Sequence, residues 1–362
     1  MTEHHHPRLL RIAVVGCGYW GSKHVRVLSS LDNIEVSIVD RDPAVRDALE
    51  RAYPISSSAA ELTELVDELD AVVIATPPTS HHLLARQALD AGLHVLVEKP
   101  LTTTVAHAQD LITIAAERDL RLMAGHTFQF NPAVWKLAEE IHDPGFGRVR
   151  YINSARLNLG LYQPDVDVLW DLAPHDISIL NHLLDDRPTR VSAWGLKLVA
   201  DRFDVAYLSL RYDRSDVSAN IHVSWLDPMK VRRTTVVGEH RMAVYDDVST
   251  EERLRIFDKG VTHPGEDGNR SGHPLSYRHG DIVSPFVNFR EPLTIELEEF
   301  ATSIRSGSTP AASGQQGLEV VSVLVAAEQS VMSGSWVDVD YGPVVDLRTS
   351  TNGASRLAEA AR

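Results

Sequence analysis

The stretch Arg11-Ile-Ala-Val-Val-Gly16-Cys-Gly18-Tyr-Trp-Gly21 carries an apolar run into a glycine-rich turn and on into a helix-forming segment, Trp20 to Leu31. Few folds accept that order, and it predicts the dinucleotide-binding start of a parallel βαβ sheet. Gly16 permits the tight turn, and Gly18 leaves the backbone bare where a pyrophosphate approaches. Gly21 lets the helix lie close on the strand while its N-terminal N–H groups and dipole face the phosphates. Cys17, Tyr19 and Trp20 complete the expected cofactor loop. A second apolar run, Ile34 to Val39, ends in Asp40, nineteen residues after Gly21. An acidic side chain there accepts hydrogen bonds from the ribose hydroxyls and repels a 2′-phosphate, which favours NAD. Arg41 beside it is a cation able to hold such a phosphate, so NADP stays open.

From residue 10 to about 125 short β-rich runs alternate with helical ones. Strands are expected at Leu10–Val15, Ile34–Val39, Ala71–Ala75, His94–Val97 and Leu120–Ala124, with helices near 20–31, 43–52, 61–69, 80–91 and 104–118. Such alternation makes a parallel sheet with helices on both faces, whose ligands lie beyond the carboxyl ends of the strands. Ala75-Thr76-Pro77 with the following His81, Glu98-Lys99-Pro100, and Gly125-His126-Thr127 all follow strands, and all are expected to face the cofactor.

After residue 145 the runs lengthen and several alternate apolar with polar residues, as strands of an antiparallel sheet covered on one face do. They are Tyr151–Leu159, Arg190–Val199, Val205–Tyr212, Ser218–Ser224, Val231–Gly238 and Arg241–Tyr245, with one helix from about Leu172 to Leu184. Two further helices follow near 292–306 and 314–332, the second able to lean back on the first domain, and Gly260–Arg290 is expected to be a long polar loop. The fold class is therefore α/β plus α+β. A flexible leader (1–8) precedes a doubly wound Rossmann domain (9–128), a domain with a large, mainly antiparallel open sheet (129–346) and a flexible tail (347–362).

At 362 residues and 43% hydrophobic, the chain can bury two cores. A formal charge of −15 repels phosphate backbones and anionic lipid, so nucleic acid and membranes are not expected partners. Cys17 is the only cysteine, which excludes an internal disulfide and a thiolate zinc site. No stretch approaches the roughly twenty apolar residues that span a bilayer, and the N-terminus lacks a signal-peptide core, so a cytoplasmic protein is expected. The histidines show no ligand spacing, and no metal is expected.

Catalytic candidates come from both halves. Lys99 sits at a strand end, and Asp171 and His175 are four residues apart, on one face of a helix, with Pro174 expected in its first turn. Taking a hydride from a carbinol needs a group that accepts the hydroxyl proton, which suits histidine near neutrality. A carboxylate one turn away orients the ring, and a lysine ammonium binds the same oxygen. A lysine depressed by burial can also act as the base, so the assignment between His175 and Lys99 stays open. Arg156, Asn158, Tyr162, Trp225, Arg233 and Tyr277 are candidates to meet the substrate.

In order and approximate spacing, the glycine loop, Ala75-Thr76-Pro77 with His81, Glu98-Lys99-Pro100 and Asp171-x-x-x-His175 resemble the glucose–fructose oxidoreductase, inositol dehydrogenase and rhizopine catabolism (Gfo/Idh/MocA) family over nearly the whole chain. The resemblance implies a Rossmann domain, a second domain whose open sheet pairs with another subunit, Lys99 as the active-site lysine, and Asp171 with His175 as the acid/histidine pair. The Gly-Gly-rich lead common before the acidic residue is replaced here by Gln163-Pro-Asp-Val-Asp-Val-Leu-Trp170. In this the chain is more similar to the branch acting on nucleotide sugars and related glycosides, where oxidation at sugar carbon 3 makes a ketone for an aminotransferase. The expected protein is an NAD-dependent sugar dehydrogenase, dimeric or tetrameric through the open sheet face. Two alternatives are an NADP-dependent 3-ketoreductase of deoxysugar assembly and a catalytically silent dinucleotide sensor.

Overall fold

The computed structural model describes residues 8–160, 162–163, 165–262 and 276–343, which form two units, each built on one sheet. The expected leader, apart from Arg8, and the expected tail lie outside the described residues.

The first unit draws on Met1–Phe130, Arg290–Ser322 and Tyr341–Arg362. In chain order its elements are β1 (Leu10–Val15), α1 (Gly21–Leu28), β2 (Ile34–Val39), α2 (Pro43–Ala52), β3 (Ile55–Ala59), β4 (Ala71–Ile74), α3 (Pro78–Asp90), β5 (His94–Glu98), α4 (Val105–Glu117) and β6 (Leu122–Gly125). The six strands are all parallel, in the order β3-β2-β1-β4-β5-β6, with Val14 registered between Ile38 and Val73. The Val- and Ile-rich runs of β1, β2, β4 and β5 are buried almost throughout, as strands covered on both faces must be. Chain order reverses between β1 and β4, which places the crevice beyond the ends of those two strands.

Two departures from expectation concern polar segments. β3 is Ile-Ser-Ser-Ser-Ala, whose serines give little β signal; it forms because β2 offers it an edge, pairing Ser37 with Ser57 and Ile38 with Ser58. The helix expected over 61–69 is two short 3₁₀ turns, Leu62–Glu64 and Val66–Glu68, the first closed by a capping box of Glu61 and Glu64.

The second unit, Asn131–Phe289 and Val323–Asp340, begins with α5 (Pro132–His142), β7 (Val149–Leu159), α6 (Val168–Leu184), β8 (Arg190–Leu196), β9 (Val205–Tyr212), β10 (Val217–Ser224), β11 (Leu226–Gly238) and β12 (Met242–Asp246). β13 (Leu254–Thr262) and β14 (Ser276–Val283) follow. The end of β13 and all of β14 fall within the span expected as a loop, residues 263–275 lying outside those described. Next come α7 (Pro292–Ser306), which belongs to the first unit, α8 (Gly314–Ser333), which starts in the first unit and ends in the second, and β15 (Val337–Asp338).

α7 joins the first unit because it packs on α1, with Arg26 paired to Glu291 at 2.5 Å. The start of α8 lies so close on the sheet that a Cβ on Gly314 or Gly317 would meet Leu122 or Leu101 at 2.7–2.8 Å. The nine strands of the second sheet run β14-β13-β12-β11-β7-β10-β9-β8-β15, antiparallel except between β7 and β10. α6 covers one face, over β7, β9 and β10. Ile152, Ser154 and Arg156 point under it, and Ile221 and Leu208 share that buried side. The other face presents a stack of rings, Trp194 on Tyr207 (4.3 Å) and Tyr207 on His222 (4.0 Å).

Candidate active site

At the end of β1 the glycine loop is shaped by the protein at two of its three glycines. Gly16 has φ +82°, and a Cβ there would lie 2.6 Å from the Thr76 methyl. A Cβ on Gly21 would meet the Gly16 carbonyl oxygen at 1.8 Å. A Cβ on Gly18 would meet nothing within 4 Å, so its absence clears space outside the protein's own packing, as a dinucleotide phosphate requires. Lys23 lies over the exposed Tyr19 and Trp20 rings beside the loop (3.9 and 4.2 Å). Asp40 accepts the Cys17 N–H (2.7 Å) on one oxygen and the Asp42 N–H (2.9 Å) on the other. That fixes the carboxylate at the loop and leaves lone pairs for ribose hydroxyls. Arg41 is turned to Glu61 (3.1 Å), so its charge is already partnered. Burial and the Asp40 charge push the Cys17 thiol up to about 12, which makes it unreactive. These residues fit a dinucleotide.

Beyond β5 and β6 the unit holds a buried polar cluster. Glu98 accepts from His24 Nε2 (2.8 Å) with one oxygen and from the Lys99 backbone N–H (3.1 Å) with the other. Burial alone would raise the Glu98 carboxyl; the His24 bond and charge, the Lys99 cation and its N–H outweigh it and hold the group below the usual glutamate value. Glu296 of α7 is fully buried, receives the Thr127 hydroxyl (2.8 Å) and is driven the other way. Burial, then the nearby Glu98 charge, raise it well above the ordinary value. His126 is fully buried too, and burial lowers it to about 4, with Lys99 reinforcing and Glu98 opposing that shift. The ring is therefore neutral near pH 7.

Because Glu296 stays protonated in the folded chain but ionises near its ordinary value when unfolded, its stabilising contribution is full at low pH. It is lost as pH rises from that ordinary value toward the folded one. Glu296→Gln keeps the oxygen that Thr127 needs and escapes this loss. It should raise Tm by a few degrees near neutral pH and give no gain at about pH 4, measured by thermal unfolding across pH.

His81 is a backbone clamp. Its Nδ1 lies 2.8 Å from the Pro100 carbonyl oxygen and its Nε2 2.8 Å from that of Thr76. Glu98, His81 and His126, expected to face the cofactor, are instead buried around the Lys99 turn, and the first two hold its backbone. Ala75, Thr76 and Pro77 follow β4 against Gly16, with Ala75 N–H bonded to Val15.

In the second unit α6 starts four residues earlier than expected. Asp167 caps it, accepting from the N–H groups of Leu169 (3.0 Å) and Trp170 (3.2 Å). Asp171 therefore ends the first turn and Pro174 falls in the interior, not the first turn, where it has no N–H to give the Trp170 carbonyl. Asp171 Oδ2 receives Trp225 Nε1 (3.1 Å), and His175, one turn on, shares its face of the helix and is 8% exposed. The Tyr162 ring lies against Trp225 at 5.1 Å, and a Cβ on Gly160 would meet the same indole at 2.7 Å and Asn158 Nδ2 at 3.4 Å.

Four expected substrate residues are buried with protein partners or lie on other parts of the sheet. Trp225 is 1% exposed and serves Asp171, so it offers no face to a sugar. Arg156 is buried in an ion pair with Asp176 (2.7 Å), which also takes the Ser154 hydroxyl (2.7 Å). Arg233 registers with Ala155, whereas Arg156 registers with Arg232, so Arg233 points to the sheet face away from α6. Tyr277 is exposed on the edge strand β14, four strands from β7. His24, Glu296 and Asp176 carry no local sequence signal, because their partners are brought to them only by tertiary contacts. Among the described residues no set of His, Cys, Asp and Glu is placed to hold a metal, and no helix is long and apolar enough to cross a membrane.

Residues 10–126 match the family model described as "Oxidoreductase family, NAD-binding Rossmann fold", and residues 134–244 match the "GFO/IDH/MocA C-terminal domain". The UDP-N-acetylglucosamine 3-dehydrogenase of Acidithiobacillus ferrooxidans is 29% identical over 330 residues, 89% of this chain and 97% of its own. Its solved structure superposes with a TM-score of 0.74 at 25% identity over 90% of this chain and 98% of that one. The inositol 2-dehydrogenase of Rhizobium meliloti is 23% identical over 89% of this chain and 97% of its own. GenD2 from gentamicin A biosynthesis, solved in complex with NAD, shares the fold, with a TM-score of 0.77 at 23% identity over 92% of this chain and 97% of that one. Both domain models match in order, on the sheets that carry the glycine loop and the Asp171–His175 helix, and the chain belongs to the Gfo/Idh/MocA family of oxidoreductases, enzymes acting on CH–OH groups.

Proposed function

We propose that the protein is an NAD-dependent dehydrogenase that oxidises a secondary hydroxyl, at carbon 3, of a nucleotide sugar or related glycoside. The observation that carries this is the Asp171 carboxylate, fixed by the Trp225 indole one helical turn before His175. Such an arrangement suits a histidine that takes a proton and a carboxylate that steadies the charged ring. When bound, NAD⁺ would supply the hydride acceptor, so that alcohol and NAD⁺ would give ketone, NADH and a proton. His175 takes the hydroxyl proton, Asp171 orients it, and the Lys99 ammonium holds the same oxygen and favours its alkoxide character. Tyr162 and Asn158, beside Trp225, border the sugar. The 29% identity to a UDP-sugar 3-dehydrogenase and the altered lead into Asp171 support the sugar and the position. A 3-ketone is the substrate an aminotransferase consumes, so the enzyme works in amino-sugar formation, in the cytoplasm.

Purified protein with NAD and a panel of UDP-sugars, dTDP-sugars and aminoglycosides should form NADH with at least one of them. Binding of NAD without turnover on any would sink the proposal and favour a sensor.

For the cofactor, the fixed Asp40 and the Arg41–Glu61 pair favour NAD over NADP. Calorimetry should show tighter NAD binding, with Asp40→Ala reducing the preference by about tenfold, the worth of one charge-assisted hydrogen bond. Tighter NADP binding by the wild type would contradict this.

The assembly follows from the uncovered sheet face, where Trp194 is 52% and Tyr151 46% exposed. Apolar area of that kind is covered by a second copy, in a dimer or a dimer of dimers. Light scattering at micromolar concentration should return at least twice the chain mass, and a monomer would refute the interface.

A further inference from the structure

His24 is completely buried in α1, the helix that opens directly on Gly21. An apolar residue would fill that place without the penalty of burying an imidazole. The ring makes one hydrogen bond among the described residues, Nε2 to Glu98 at 2.8 Å, and Nδ1 has no partner there. It is thus aimed at Glu98 alone. Glu98, at the end of β5 and 7% exposed, sends its second oxygen to the backbone N–H of Lys99 at 3.1 Å. On the far side of the lysine, His81 holds the Pro100 carbonyl. A chain of two hydrogen bonds therefore leads from the helix of the dinucleotide loop to the backbone of the lysine.

We propose that His24 and Glu98 are positioning residues that tie the backbone at Lys99 to α1 and so keep the lysine in register with the dinucleotide loop. The proposal rests on the role given to Lys99 under the proposed function. It extends that role by naming how the lysine is placed. Glu98 is the ionised member of the cluster: Glu296, the other carboxyl near it, is kept protonated by burial and by the Glu98 charge, and His126 is neutral. The single negative charge sits where it holds both His24 and the Lys99 turn.

The test uses His24→Asn and Glu98→Gln, each alone and combined with Lys99→Met, in the full-length enzyme with NAD and whichever panel sugar it oxidises. Misplacing a reacting group by about 1 Å lowers turnover by up to about 100-fold, so each single variant should lose about 10- to 100-fold in kcat with Kd for NAD near wild type. In the Lys99→Met background both substitutions should change the residual kcat by less than about twofold, because the group they position is gone. An equal fall in that background would show a general structural role and overturn the proposal.

A second measurement does not depend on turnover. Amide hydrogen exchange at Lys99 should be about tenfold faster in His24→Asn, as Glu98 loses its anchor. Unchanged exchange overturns the tie itself. Normal turnover of Lys99→Met would instead overturn the lysine's role, and with it the kinetic part of the proposal.

Discussion

His175→Ala should lower kcat by about 10²- to 10⁴-fold, the usual worth of a general base, while Kd for NAD stays near wild type. The two effects separate because the histidine belongs to the second unit, whereas the glycine loop and Asp40 belong to the first. Asp171→Asn should cost less, since the amide still accepts the Trp225 N–H and loses only the charge that steadies an imidazolium. Lys99→Ala should reduce turnover and weaken sugar binding together, because an ammonium on the reacting oxygen acts in the ground state as well as in the transition state. Steady-state kinetics with calorimetric NAD titration reads all three. A His175→Ala enzyme with near-normal turnover would mean that the proton leaves by Lys99 or by water, and that the Asp171–His175 pair only shapes the helix.

The largest stability effect is expected at Asp176. Removing its carboxylate takes the 2.7 Å ion pair from the Arg156 guanidinium, a charge only 5% exposed, and Ser154 loses the same acceptor. Breaking one side of such a pair costs about 3–5 kcal/mol, so Asp176→Ala should shift the urea midpoint strongly downward. Replacing both partners, Arg156→Met with Asp176→Leu, should recover much of that loss, because the buried charge is gone. A change below about 1 kcal/mol in Asp176→Ala would show that solvent reaches the pair. Asp176 directly follows His175 on α6, so the same bond also fixes the rotation of the helix over β7.

How much of this can be read from the chain depends on whether a residue's partner is local. The glycine loop, Asp40 and the parallel strands are legible because turn chemistry and strand hydrophobicity are written within about thirty residues. Asp171 and His175 are legible because their spacing needs only a helix. β3 is not, since Ser-rich text becomes a strand only when β2 supplies an edge. The start of α6 escapes for a similar reason: Asp167 is an ordinary acidic residue until it is seen taking two N–H groups.

The substrate residues show the limit most clearly. Arg156 and Trp225 have the chemistry of sugar contacts, but Asp176 claims one and Asp171 the other across gaps of 20 and 54 residues. Arg233 depends on a one-residue register, which the sequence leaves open and the pairing with Ala155 settles. Glu98 stands in plain view beside Lys99, yet its role depends on His24, 74 residues away.

The most direct test of the central claim follows a label. A nucleotide sugar carrying deuterium at carbon 3, turned over with NAD, should pass that deuterium to the reduced nicotinamide and leave a carbonyl at the same carbon, both read by mass spectrometry. Because the bond to that deuterium breaks in the hydride step, His175→Ala should slow the transfer by the same factor as kcat wherever that step limits turnover. Deuterium retained in the sugar while NADH forms, or a carbonyl at any other carbon, would contradict the assignment of the reacting position.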